Sequence, residues 1–140
     1  MKSQEMFEGF SPEVQAGHEQ YLINRYGKRM EPAIAESKNR VKHWKKADWE
    51  KSGAAFNGIC QDLVAVMNRK QASDSPEAQS VIRRHYEWLK SFWTPNRKSY
   101  AGHSLLVVDS ELRKAYEAHH SKLPEFAAVA MKAFAERELA

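Results

Sequence analysis

The chain has one cysteine in 140 residues, together with six glycines and five prolines. A single thiol cannot close an internal disulfide, so a disulfide scaffold is excluded and a reducing, cytoplasmic compartment is expected. No apolar run approaches the roughly 20 residues that a membrane-spanning helix requires. The N-terminal MKSQEMFEGF also lacks the apolar core of a signal peptide. No glycine-rich phosphate loop, nucleophile elbow or HExxH helix occurs, so the sequence predicts neither an enzyme nor a bound cofactor. The six histidines are scattered except for His119 and His120. Neighbours on a helix point about 100° apart, which makes that pair a poor set of metal ligands. A helix C-terminus, where histidine suits the dipole, explains them better.

What is present is a foldable chain. Its 42% hydrophobic and 11% aromatic content exclude disorder, while a mean hydropathy of -0.71 implies a heavily charged surface. The length suits one domain with a genuine core. The net charge of +4 and the basic run KNRVKHWKK, residues 38–46, raise an alternative reading as a helical nucleic-acid-binding module. Asp48 and Glu50 dilute that patch, and no zinc-finger, RNP-type or helix-turn-helix motif accompanies it.

Almost every segment reads as helix. Ser11-Pro12-Glu13 and Ser75-Pro76-Glu77 are start signals, with serine to cap, proline for the first turn and glutamate for the dipole. Leu123-Pro124-Glu125 repeats the Pro-Glu part, with Ser121 as the expected cap. The patterning predicts helices over 12–26, ending at Gly27, and over about 31–41, 46–67, 76–95, 109–119 and 124–137. NRKQASDSPE, residues 68–77, is the clearest loop. LLVV, residues 105–108, is expected to form a buried helical turn, since no partner strand is evident. The fold class is therefore all-α, in a single domain over 1–140.

The stretch RHYEWLKSFWTP, residues 84–95, carries the strongest pattern. On a helical wheel Val81, His85, Trp88 and Phe92 form one row, and Ile82, Tyr86, Leu89 and Trp93 the next. The aromatic series continues past Pro95 into Tyr100 and His103. Two readings stay open, a packed core or the lining of a cavity. A lone histidine on an apolar face is more often a hydrogen-bonded core residue than a haem ligand, so no haem is expected. Cys60 shares a helical face with Phe56, Leu63 and Val64, which predicts a buried, unreactive thiol.

In order and spacing the chain resembles the TipA-like antibiotic-recognition domain, the ligand-binding half of some MerR-class transcription regulators. The resemblance is carried by FEGFSPE at 7–13, RYG at 25–27, ESKNR at 36–40 and KKADWEK at 45–51. It continues through residues 74–103 and LPEFAAVAMKAF at 123–134. It implies a compact, globin-like helical domain with a deep aromatic cleft for bulky antibiotics. It also implies a mobile N-terminal lid over residues 1–41, including Tyr21 and Tyr26, above a helical core over 46–140. Under that resemblance Tyr86, Trp88, Leu89, Phe92 and Trp93 are candidate stacking walls. His85, Tyr100 and His103 are candidate orienting groups, and Trp49 and Phe56 the candidate opposing wall.

Two departures qualify the expectation. Members that capture thiopeptides covalently carry a cysteine in the turn after the aromatic helix, at or beside Pro95 here, and this chain has none there. Non-covalent binding and sequestration, or sensing, of the drug is therefore expected. The segment HSLLVVDSELR, residues 103–113, lacks the Tyr and Phe of the family's LGxxYVxDxRF pattern, so the ligand is expected to differ. With no MerR-type DNA-binding region or coiled coil in the chain, a monomer that makes no nucleic-acid contact through this domain is expected. No membrane partner is expected.

Overall fold

A computed structural model of the chain describes residues 12–139. Among them there are seven α-helices, one short 3-10 helix and no strand. They are α1 (Pro12–Tyr26), the 3-10 turn Gly27–Met30, α2 (Glu31–Val41), α3 (Lys46–Asn68), α4 (Pro76–Leu89), α5 (Arg97–Asp109), α6 (Leu112–Glu117) and α7 (Leu123–Glu138). The all-α reading holds.

Local chemistry explains most of the boundaries. Gly27 adopts φ +77°, the left-handed conformation that ends a helix cheaply only when no Cβ is present. Ser75 Oγ accepts the Ala78 N–H at 3.2 Å to start α4, with Pro76 following it. Asn96 and Ser99 cap α5 reciprocally, through Ser99 N–H to Asn96 Oδ1 at 2.9 Å and Asn96 N–H to Ser99 Oγ at 2.8 Å. The Ser11 start signal lies outside the described residues. Ser121 does not cap α7: the residue before that helix is Lys122, with no side-chain cap, and His120 Nδ1 accepts the Lys122 N–H instead.

Two expectations of the patterning are corrected. α4 stops at Leu89 rather than running to Pro95, because the chain tightens into turns there, with Ser91 N–H bonded to Trp88 C=O and Phe92 N–H to Leu89 C=O. Phe92 and Trp93 therefore leave the helical wheel. LLVV is helical, but Leu105 is 65% exposed and only Val107 of the four is fully buried.

The core forms where α4 lies between α3 and α7, with α5 along α7 and α6 closing one end. Phe56, Leu63, Ile82, Tyr100, Leu123, Met131 and Phe134 are essentially inaccessible. Cys60 is buried beside them, and burial raises its thiol pKa, so it stays protonated as the sequence implies. One polar group sits at the centre. His85 Nδ1 lies 2.8 Å from Tyr100 Oη and His85 Nε2 2.8 Å from Tyr116 Oη, which joins α4, α5 and α6. A neutral imidazole has one donor and one acceptor nitrogen, so one tyrosine accepts and the other donates.

Removing either hydroxyl leaves a buried ring nitrogen without a partner. Tyr116→Phe or Tyr100→Phe should each destabilise the domain by about 1–3 kcal/mol in urea unfolding. A loss below about 0.5 kcal/mol would show that His85 contributes packing and no more.

Candidate functional site

A cavity of about 740 Å³ lies between the α1–α2 pair and the aromatic end of the core. That is the size of a drug-binding cleft. The core side contributes Trp88 and Leu89 from the end of α4, Phe92 and Trp93 from the turn after it, and His103 and Leu106 from α5. Opposite them stand Gln15, His18, Glu19, Leu22 and Tyr26 from α1, with Ile34 and Ser37 from α2. Tyr116 and Leu112 of α6 complete the lining.

The structure brings together half of the residues singled out from the sequence. Tyr26, Trp88, Leu89, Phe92, Trp93 and His103 all line the cavity. The other six do not. His85 and Tyr100 are consumed by the core hydrogen bonds described above. Phe56 packs on Trp88 and Tyr116, with ring centroids 5.1 Å away in each case, and is fully buried. Tyr86 turns away toward Tyr100 and Phe134. Trp49 lies behind the site, edge-on to Trp44 at 4.9 Å and near Phe92 at 6.1 Å. Tyr21 is half-buried on α1, off the cavity.

The aromatic wall is held rigidly. The Trp88 indole N–H donates to Ser52 C=O at 3.1 Å and to Ser52 Oγ at 3.0 Å, which fixes the ring plane. Phe92 sits edge-on to both Trp88 and Trp44. Arg40 reaches from α2 to Lys90 C=O at 2.9 Å and Thr94 Oγ1 at 2.6 Å, tying the N-terminal helices to the turn that carries Phe92 and Trp93. Arg40 and Trp44 both belong to the basic run 38–46, and both are engaged in this packing.

Sequence reasoning missed the polar part of the lining. Ser37, Gln15, His18 and Glu19 occupy the inner faces of α2 and α1, where an apolar search has nothing to find. His18 meets His103 edge-on, with ring centroids 5.8 Å apart, and Trp93 lies 5.7 Å from His103. Burial lowers the His18 pKa to about 4 and takes His103 well below its ordinary value, helped there by the neighbouring His18 and His85. Both rings are therefore neutral at pH 7. The one available signal was the unusual run of polar residues facing the core side of a predicted helix.

Fold and cavity together define an all-α domain that encloses a drug-sized aromatic chamber beneath its two N-terminal helices. The model of the TipAS antibiotic-recognition domain matches residues 18–134, and the chain belongs to that family. It is similar to the HTH-type transcriptional regulator SkgA from two strains of Caulobacter vibrioides, NA1000 / CB15N and ATCC 19089 / CIP 103742 / CB 15. Each is 34% identical over 139 residues, covering 96% of this chain and 54% of the regulator. The chain thus spans about half the length of the curated relatives it matches. No solved structure matches it.

The buried histidines set a pH dependence. His18 and His85 both titrate near 4 in the folded state, against about 6.5 when unfolded. Between those values the unfolded chain binds more protons, so stability falls as pH drops from about 6.5 toward 4, and His103, held well below its ordinary value, adds to the loss. The slope should approach 1.4 kcal/mol per pH unit for each histidine. Urea melts at pH 7.5, 6, 5 and 4.5 measure it, and a flat profile would contradict neutral burial.

Proposed function

We propose that this domain binds a bulky, largely apolar and aromatic antibiotic reversibly and without altering it. The observation that carries this reading is the 740 Å³ cavity, with five aromatic side chains, Tyr26, Trp88, Phe92, Trp93 and Tyr116, around one space. Membership of a family named for antibiotic recognition supports the ligand class. Relatives named as transcriptional regulators support sensing as the use of that binding. In a chain acting alone the same binding would sequester the drug.

The N-terminal helices serve as a lid in this reading. Of the apolar residues of α1 and α2, Leu22 and Ile34 are buried and Val14 and Val41 partly buried against the core, alongside the polar His18, Glu19 and Ser37. Fixing a helix pair of this length costs on the order of 1 kcal/mol per residue. Burying a leucine or isoleucine returns about 1.5–3 kcal/mol. Docking is therefore weakly driven until a ligand supplies the missing apolar contact. A ring held between α1 and the Phe92–Trp93 turn contributes several kcal/mol at about 25 cal/mol per Å², before binding costs are subtracted.

Trp88 and Trp93 report on the site directly. Titration with thiopeptides and oligoaromatic antibiotics should give a saturable tryptophan quench that hardly changes with salt, and the ligand should keep its mass on incubation. Trp93→Ala should weaken binding by about tenfold, the equivalent of roughly 1.4 kcal/mol of lost contact. A flat response to every drug, with a salt-sensitive response to nucleic acid, would overturn the proposal in favour of the basic run at 38–46.

A further inference from the structure

Charge is distributed unevenly with depth in the cavity. Glu19, Arg29, Glu36 and Lys98 are its formally charged lining residues. Arg29, Glu36 and Lys98 are exposed. Glu36 is paired with Arg40 at 2.8 Å, and the Arg29 guanidinium lies over the Tyr26 ring at 5.4 Å. Glu19 stands apart from them at 8% exposure. Its carboxylate receives the Gln15 amide at 3.3 Å and faces Lys38 Nζ at 3.8 Å. Both distances exceed the roughly 2.7–2.9 Å of a strong charge-assisted bond, and the Lys38 side chain is 67% exposed. A carboxylate has about four acceptor sites, so among the described residues much of its capacity is unused.

The surroundings of Glu19 favour the same partner. His18, its neighbour on α1, lines the cavity and has its Nδ1 buried without a hydrogen-bond partner among the described residues. Ser37 Oγ is nearby through Gln15, which donates to it at 3.4 Å. The Trp93 and Phe92 rings line the same cavity, and aromatic faces attract cations, as the Arg25 and Arg29 guanidiniums over the Tyr26 ring show. No positively charged lining residue is buried among the described residues. The net charge of +4 suggests the opposite preference. Exposed charges, however, are screened over about 8–10 Å in salt, whereas a buried carboxylate acts at contact in a medium of low dielectric.

We infer that the cavity selects a lipophilic cation: an aromatic or polycyclic molecule bearing a protonated amine or another onium centre, with Glu19 as its counter-ion. This rests on the reading of the cavity as a ligand site and narrows it. The remaining aromatic surface of such a molecule stacks on Trp93 and Phe92. Its charge sits toward α1, which makes the lid helix itself the carrier of ligand selectivity.

Tetraphenylphosphonium and tetraphenylborate test this, being nearly identical in shape and opposite in charge. Tryptophan quenching of the 140-residue chain should show the phosphonium binding at least about tenfold more tightly than the borate. Glu19→Gln keeps the side chain's shape. It should cost about tenfold in phosphonium affinity and tighten borate binding, because the same carboxylate that attracts the cation repels the anion. Lys38→Ala removes the distant counter-charge and should tighten phosphonium binding a few-fold. A merely structural Glu19–Lys38 tie predicts the reverse, since loosening the lid would weaken binding. Equal affinity for the two ions, unmoved by Glu19→Gln, would overturn the cation inference while leaving the cavity a ligand site. A flat response to both ions would overturn it as well, and the drug titration then decides separately whether the cavity reading stands.

Discussion

The hydrogen bonds from Tyr100 and Tyr116 to His85 are the constraint on which the rest of this domain depends. A histidine at the centre of an all-α core is tolerable only if it is neutral and both ring nitrogens are satisfied. Satisfying it demands that α4, α5 and α6 meet at one point within hydrogen-bond distance. One turn further along α4, Trp88 is pinned by Ser52, and the turn beyond Leu89 carries Phe92 and Trp93 to the edge of the core. Apolar packing alone would permit α4 to rotate by a residue, whereas two directional hydrogen bonds on opposite sides of one ring do not.

This junction divides the aromatic stripe into two populations. His85, Tyr86 and Tyr100 face inward with Phe56 and Phe134, and they hold the helices together. Trp88, Phe92, Trp93 and His103 face the space under α1 and α2. The two readings left open by the sequence are therefore each right for part of the stripe. Trp88 belongs to both populations, since it packs on Phe56 and also lines the cavity.

The fold was legible because its signals are local. Ser75-Pro76, Gly27 and the helical spacing from Phe56 to Val64 each act over a few turns at most, and the structure puts helices there, with the α1 end and the α4 start where those signals lie. The site was legible only in half. A wheel drawn through Phe92 and Trp93 assumes that the helix continues, yet the turn at Leu89 to Trp93 depends on tertiary packing that no local pattern encodes. A wheel also assigns a face without saying what lies opposite. Trp49 and Phe56 share the core with the stripe, but the wall across the cavity comes from α1, whose His18 and Glu19 give no apolar signal. Polar residues on an inner face are invisible to hydrophobic periodicity, and only the packed fold turns them toward the cavity.

The polar inner face of α1 also has a thermodynamic meaning. Burying Glu19 and His18 against an apolar wall is unfavourable unless something in the cavity compensates them. Leu22 and Ile34, with Val14, Val41 and the Arg40 hydrogen bonds, dock the N-terminal helices through few apolar contacts, so on the proposed reading a lid lined this way is selective. An apolar lid would close on any greasy molecule, or on the bare aromatic wall. With Glu19 and a His18 nitrogen that has no partner among the described residues turned inward, closure on the proposed reading is most favourable over a ligand that offers both aromatic surface and a complementary polar group. On this proposed division of labour, the rigid core gives affinity through Trp88, Phe92 and Trp93. The marginally docked helices convert the ligand's identity into a change of shape, which is the property a sensing domain requires.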